Sequence, residues 1–445
     1  MAVDMTKIKK RKILVIVEAA NPEWASVPLI GWSLARALQN IHDAHIVTQI
    51  RNRDAFLRAG LVEGRDFTAV DSEFLAAPMW RLGKFLRLGE GKGWTMMQAV
   101  SAVSYPYFER LVWRQFGARI KAGEFDVVHR ITPLSPTANS SLAGRCKRAG
   151  VPFVIGPLNG GVPWPKGFNA ERLREREWLS YVRNAYKLFP ARRATLKNAA
   201  AILLGSRHTQ SEMPDAVQNK CIYMPENGID PTRFSKQASH KATTLKACFV
   251  GRLVAYKGAD MLLEAALPLL QSKAMTLDIV GDGPMRDELQ GFVQKHGLND
   301  QVSLHGWLEH SQVQDVLSQC NLLSFPSVRE FGGGVVLEAM ALGVPALIVD
   351  YAGPSELVDN TVGYKVPLGS RAQIVAQFRT ALTDLSQDVE GLKAKGLKGR
   401  KRIANKYTWD AKARQISAVY DWVLGQAPKP DFFDSSAKQG GDHVA

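Results

Sequence analysis

Short apolar runs alternating with longer helical patterns along the whole chain predict an α/β protein built on parallel sheets. A second observation divides it: the pattern stops at a polar stretch, 235–246, just after Asn227 and Gly228, and then starts afresh. The third is size, because 445 residues exceed one compact core and suit two domains. In the first half the expected strands are 12–17, 45–50, 126–131, 151–156 and 200–205. After the first comes a loop with Asn21, Pro22, Glu23 and Trp24. A helix follows, opened by Pro28, whose missing N–H would be unpaired in a first turn anyway. Leu29, Ile30, Leu34, Ala35 and Leu38 give it one apolar face. In the second half the strands are expected at 246–253, 275–281, 302–305, 321–325 and 345–350. The run 410–423, with Ile416, Val419, Tyr420 and Val423, reads as a last amphipathic helix. From about Gln426 the tail is rich in Pro, Lys, Asp, Ser and Gly, and disorder is expected.

Composition narrows the classes. No apolar run reaches the ~18–20 residues of a membrane span. The basic start, Lys9, Lys10, Arg11 and Lys12, leads into an apolar stretch too short for a signal peptide and without a small-residue cleavage site. A first strand and a cytoplasmic protein are expected. Cys146, Cys221, Cys248 and Cys320 are far apart and form no CxxC or Cys/His cluster, so buried free thiols and no zinc site are expected. A net charge of +15 implies anionic partners. Nucleic acid is set aside, since no zinc finger, RRM signature or basic heptad region is present. The cations are interleaved with aromatics instead. One stretch holds Trp80, Arg81, Lys84, Phe85, Arg87, Trp94, Tyr105, Tyr107, Trp113 and Arg114. A second holds Arg183, Tyr186, Lys187, Phe189, Arg192, Arg193 and Lys197. Such stretches suit docking on an anionic membrane surface, and equally a solvated helix face above core aromatics.

The chemistry is densest at 325–345, FPSVREFGGGVVLEAMALGVP. Glu330 and Glu338 stand with seven residues between them, separated by Gly332, Gly333 and Gly334, which open an apolar helical run. A short strand candidate precedes the loop. Glycines let backbone approach an anion, and the unpaired N–H groups of a helix's first turn point at it. Ionised carboxylates only accept hydrogen bonds, which suits sugar hydroxyls. A second segment, FVGRLVAYKGADMLLEAA (249–266), places Arg252 and Lys257 after another strand and before another helix. Arginine grips phosphate in bidentate fashion and lysine supplies a compact charge. Glycine runs also mark plain turns, and Arg and Lys are most often solvated. Together, however, the two segments describe a pocket for a molecule carrying both phosphate and hydroxyls: a nucleotide sugar.

On these segments, with LDIVGDGPMRDEL, VSLHGW, ENGID and GVPALIVDYAGPSELV, the chain resembles the retaining, family-four group of GT-B glycosyltransferases, the group 1 type. The resemblance implies two Rossmann-like domains facing each other across a cleft. The N-terminal, acceptor-binding domain would be 1–232, and the nucleotide-sugar domain 233–407. A crossover helix at 408–425 would return to the first, and 426–445 would be a disordered tail. Arg252 and Lys257 are the implied diphosphate ligands and Glu330 the contact to the donor sugar. Glu338 would hold the ribose. Backbone of Gly332, Gly333, Gly334 and Val335 would line the sugar and phosphate pocket, and Gly281, Gly306 and Trp307 the base pocket. The first loop, NPEWASVP, lacks the glycine pair of many members, and FDVVHRITPLSP keeps one histidine of an alternating pair, with Ile131 at the second place. His129 is therefore the implied histidine on the donor sugar, alongside its reading as a satisfied core group. Asn159, Gly160 and Gly161 of GPLNGGVPWP are assigned to acceptor or phosphate, with Ser206 nearby and Asn21 and Trp24 in the first loop.

The expected reaction is metal-independent glycosyl transfer, with retention, from a nucleoside diphosphate sugar to an acceptor hydroxyl. No cofactor is expected beyond that donor. The acceptor expected is a lipid-linked or cell-surface glycan, with peripheral attachment to the inner face of the membrane. Glu330 and Glu338 lie on one side of the donor in the resemblance, so they are not cast as a glycosidase pair. Two rivals share the fold: a nucleotide-sugar-cleaving epimerase and a non-catalytic binding subunit. A nicotinamide dehydrogenase is disfavoured, because Glu18, Ala19 and Ala20 follow the first strand in place of a glycine fingerprint.

Overall fold

The computed structural model describes residues 8–74, 94–169, 172, 189–239 and 244–433, with backbone alone for 94–103 and 310. The chain divides into two units. Met1–Gly160, Val182–Glu226 and Lys412–Ala445 form one; Gly161–Tyr181 and Asn227–Ala411 form the other. The division thus falls at 226/227 where 232/233 was expected, and the segment after Gly160 groups with the second unit.

The first unit holds β1 (Lys12–Val17), β2 (Asp43–Gln49), β3 (Phe67–Val70), β4 (Val127–Thr132), β5 (Phe153–Leu158), β6 (Ala201–Leu204) and β7 (Cys221–Tyr223). They form one parallel sheet in the order β3-β2-β1-β4-β5-β6-β7. Ile13 through Val17 are all fully buried, as parallel strands are when helices cover both faces. The helix Val27–Ile41 starts with its proline in the first turn and buries Ile30, Leu34, Ala35 and Leu38. Helix Trp94–Lys121 adds Tyr105, Phe108, Val112 and Phe116 to the same core.

The second unit repeats the scheme with β8 (Leu245–Val250), β9 (Met275–Val280), β10 (Val302–Gly306), β11 (Leu322–Phe325), β12 (Ala346–Val349) and β13 (Gly363–Val366). Its parallel order is β10-β9-β8-β11-β12-β13. In both sheets the strand order reverses once, between β1 and β4 and between β8 and β11. The carboxyl ends of strands at such a reversal diverge and leave a crevice, where open α/β sheets take ligands.

Two expectations need correction. The tail is packed as far as Phe433: Arg11 donates to Gln426 Oε1 at 2.7 Å, Arg207 donates to the Phe433 carbonyl at 3.0 Å, and the Phe433 ring meets Tyr223 edge-on at 5.2 Å. Residues 434–445 lie outside the described residues. Within the basic-aromatic stretches Tyr105 and Arg192 are buried, Trp113 packs on the core beneath Arg145 and Lys121, and Phe189 is exposed. Trp80, Arg81, Lys84, Phe85, Arg87, Arg183, Tyr186 and Lys187 lie outside the described residues, as does the side chain of Trp94. Strands β3, β7 and β13 were not anticipated. Only two of the four residues in β3 and in β13 are buried, and β7 has three residues, so none writes an apolar run. All four cysteines are buried and free, and burial pushes Cys146 up to about 12 and Cys221 to about 11, leaving them protonated. No helix among the described residues is long and apolar enough to cross a membrane.

Candidate functional site

The second unit builds its site at the β8/β11 reversal. Beyond β8 the chain passes exposed Arg252, then a single turn, Ala255–Lys257, and enters the helix Ala259–Gln271. Beyond β11 it runs through Glu330 into the helix Gly334–Leu342. The two loops are stitched together, since the Val328 N–H and the Ser327 hydroxyl both donate to the Tyr256 carbonyl, at 3.0 and 3.3 Å. Lys257 and Glu330, 73 residues apart in the chain, meet in a salt bridge. Their side chains are 15% and 18% exposed, so the pair is shielded yet open to a ligand.

Gly333 precedes the helix at φ 59°, a left-handed conformation that a side chain would strain, and no side chain caps the first turn. The first-turn N–H groups, Gly334 and Val335 among them, therefore have no capping side chain and lie at the positive end of the helix dipole. The Glu330 loop is pressed against the helix Ala352–Leu357. The Gly353 N–H donates to the Glu330 carbonyl at 3.1 Å, and a Cβ on Gly353 would stand 2.1 Å from the Phe331 oxygen. On the helix, Glu338 is partly buried; burial first, and the Glu330 charge second, push its carboxyl from 4.5 to about 7. At the ends of β9 and β10, the Gly281 N–H donates to the Gly306 carbonyl at 2.8 Å. Gly281 sits at φ 137° with a hypothetical Cβ only 1.9 Å from the Gly251 oxygen, so no other residue fits. Trp307, next to Gly306, is 67% exposed.

The residues expected in the first unit separate. His129 is corrected from a sugar contact to a core group: it lies inside β4, fully buried. Its Nε2 lies 2.8 Å from the Gly156 carbonyl and its Nδ1 2.7 Å from the Tyr420 hydroxyl. A neutral ring with Nε2–H donating and Nδ1 accepting satisfies both, and burial lowers the pKa to about 4. With both nitrogens spent inside the unit, it presents no group to a sugar. Asn21 is buried and its side-chain oxygen accepts from the Glu23 N–H at 2.9 Å, tying its own loop together. Trp24 is 48% exposed. Asn159 is buried, and the Gly160 N–H donates to the Thr209 hydroxyl at 3.0 Å. Ser206 caps the helix Arg207–Ser211 by accepting from the Thr209 N–H. Gly161 belongs to the second unit, against the Phe331 ring.

Sequence reasoning missed Glu18 at the carboxyl end of β1, beside the other reversal. Burial raises it to about 7 against the opposing pull of Arg51. It also missed Trp164, Tyr256 and Arg329, which surround the ion pair's loops. An aromatic next to Lys257 in the chain was the available signal for Tyr256. Among the described residues no group of three or more His, Cys, Asp or Glu is placed to hold a metal ion.

Residues 230–396 match the family model described as glycosyl transferases group 1. The chain is 27% identical over 289 residues to a 2-deoxystreptamine glucosyltransferase of Streptomyces kanamyceticus, covering 60% of this chain and 72% of that one. It is 31% identical over 176 residues to a putative colanic acid biosynthesis glycosyltransferase, WcaL, of Escherichia coli K12, covering 38% of this chain and 43% of that one. The chain thus spans less than half of the latter relative's length. Among solved structures, Anabaena Alr3699/HepE in complex with UDP superposes with a TM-score of 0.60 at 15% identity, over 92% of this chain and all of that one. That likeness is one of fold, the GT-B pairing of Rossmann-like domains.

Proposed function

We propose that the chain, whose residues 230–396 match the group 1 glycosyltransferase family model, transfers a glycosyl group, with retention, from a nucleoside diphosphate sugar to an acceptor hydroxyl. The observation that carries this reading is the Lys257–Glu330 pair, set on two loops at one sheet reversal beside an uncapped helix N-terminus. A cation and a first-turn backbone suit the diphosphate, and the carboxylate suits the sugar hydroxyls. In the reading, the donor inserts at this pair, taking Lys257 for its phosphate and Glu330 for its hydroxyls. Glu338 accepts from the ribose, and the backbone of Gly281 and Gly306 borders the base.

When the glycosidic bond breaks, charge collects on the leaving diphosphate. Arg252, Lys257 and the helix N–H groups stabilise it where preorganised charge has most leverage. These cations fill the role a divalent ion would otherwise take, so the reaction is read as metal-independent. The departing phosphate takes the acceptor's proton, with attack on the face it leaves. The acceptor class is a lipid-linked or cell-surface glycan, in keeping with the net charge of +15 and with the colanic acid relative. The same charge motivates a cytoplasmic protein held peripherally at an anionic membrane surface.

The test is calorimetric binding of a panel of nucleotide sugars, with nucleoside diphosphate release measured with and without lipid extract. UDP is the first nucleotide to try. Glu330→Gln should keep UDP binding and lose transfer by about 100-fold or more, the scale of a removed transition-state contact. Free sugar released without acceptor would replace transferase with epimerase. Tight binding with no turnover would make the chain a binding subunit.

A further inference from the structure

The segment 161–165 leaves the end of β5 and packs on the loops of the second unit. Trp164 meets the Tyr256 ring edge-on, centroids 5.8 Å apart and planes at 87°. The Arg329 guanidinium lies 4.8 Å from the Trp164 ring centre and 5.2 Å from that of Phe331, held between the two. The strap is fixed on either side of Trp164: the Tyr351 hydroxyl donates to the Pro163 carbonyl at 2.9 Å, and a Cβ on Gly161 would stand 3.0 Å from the Phe331 ring. Tyr256 directly precedes Lys257, and Arg329 directly precedes Glu330. One indole therefore touches the chain neighbours of both members of the ion pair.

We propose that Trp164 is a positioning residue for the Lys257–Glu330 pair, setting the spacing that the two charged groups offer to a phosphorylated sugar. The proposal rests on the donor-site reading above. Two physical effects carry it. Arg329 adjoins Glu330 in the chain and, if released, would compete with Lys257 for that carboxylate; stacking between Trp164 and Phe331 keeps its charge aside. The Lys257 ammonium lies 5.7 Å from the Tyr256 ring centre and 5.3 Å from that of Phe325. The orientation of Tyr256, fixed by the Trp164 edge, is thus passed to the lysine. Trp164 acts on the reacting groups through their neighbours.

The experiment compares wild type, Trp164→Ala and Trp164→Phe in three measurements. These are kcat and donor KM, UDP affinity by calorimetry, and the rate at which acetic anhydride modifies Lys257, read by peptide mass spectrometry. Trp164→Ala is expected to lower kcat by about 10- to 100-fold, the scale of a misplaced catalytic group, while KM and UDP affinity move less than about threefold. Lys257 should acetylate at least about threefold faster, because its carboxylate partner is no longer held. Trp164→Phe should restore most of both. Wild-type kcat in Trp164→Ala overturns the proposal, as does UDP affinity falling in step with kcat, which would make Trp164 part of the nucleotide pocket. Should Trp164→Ala not fold, Phe331→Ala releases Arg329 from the other side of the same stack and must give the same split; full activity there overturns the proposal. If the wild type releases no nucleoside diphosphate from any donor, the donor-site reading fails. Lys257 reactivity then decides the positioning claim alone, unchanged reactivity in Trp164→Ala overturning it.

Discussion

Glu338 should make the protein's stability and its nucleotide affinity respond to pH in opposite senses. Its carboxyl titrates near 7 in the folded chain, against 4.5 for the ordinary group. Between those values the folded chain holds a proton that the unfolded chain has released, so stability falls as pH rises through the window. At about 1.4 kcal/mol for each pH unit of displacement, the full penalty above pH 7 is about 3 kcal/mol. Glu338→Gln removes the ionisation. The variant should therefore gain up to about 3 kcal/mol over wild type at pH 8, and this gain should vanish toward pH 4.5. Binding should behave the other way. If a ribose hydroxyl donates to the ionised carboxylate and returns its pKa to the ordinary value, wild-type affinity should rise by up to about 70-fold from pH 5 to pH 8. Urea unfolding at pH 5 and 8, with UDP calorimetry at the same values, measures both. Subtracting the variant from wild type cancels the titration of the ligand and of Glu18. A stability difference that is the same at both pH values would refute the reasoning, as would undiminished UDP affinity in Glu338→Gln at pH 8.

Two other outcomes follow from features already described. Trp307→Ala should weaken UDP binding by about 5- to 100-fold, the scale of one base stacked on one aromatic ring, and leave the melting temperature within a degree or two; calorimetry and thermal unfolding decide it. His129 and His42 are both lowered to about 4, chiefly by burial, so the unfolded chain binds protons the folded chain refuses. Stability is present above about 6.5 and is lost as pH falls toward 4, by up to about 3 kcal/mol for each histidine. His129→Phe should flatten its share of that profile and lower stability, while kcat of the folded protein stays within about twofold of wild type.

The central strands were legible because burial on both faces forces unbroken apolar runs, and β1 appears at the boundaries those runs predict. The edge strands β3 and β13 are half-buried and hid in ordinary sequence. The pairing of Lys257 with Glu330 was open to inference since both follow central strands and have glycines one or two residues on that permit close approach. His129 carried two readings, and the core one prevails because the strand expected over 126–131 encloses it and β4 runs on to Thr132. Glu18 and Trp164 left no mark of their own. Burial gives the first its shifted pKa and a tertiary contact gives the second its place, and neither is written in local spacing.

The Lys257–Glu330 bridge means that the proposed donor site neutralises its own charges. An orthophosphate or a bare polyphosphate tail can offer the lysine a new counterion only by stranding the glutamate in a shielded position, where an unpaired carboxylate is strongly disfavoured. A molecule that brings hydroxyl donors together with its phosphates leaves neither partner stranded. On the proposed reading, such a pair would discriminate against inorganic phosphate and polyphosphate without any wall to keep them out.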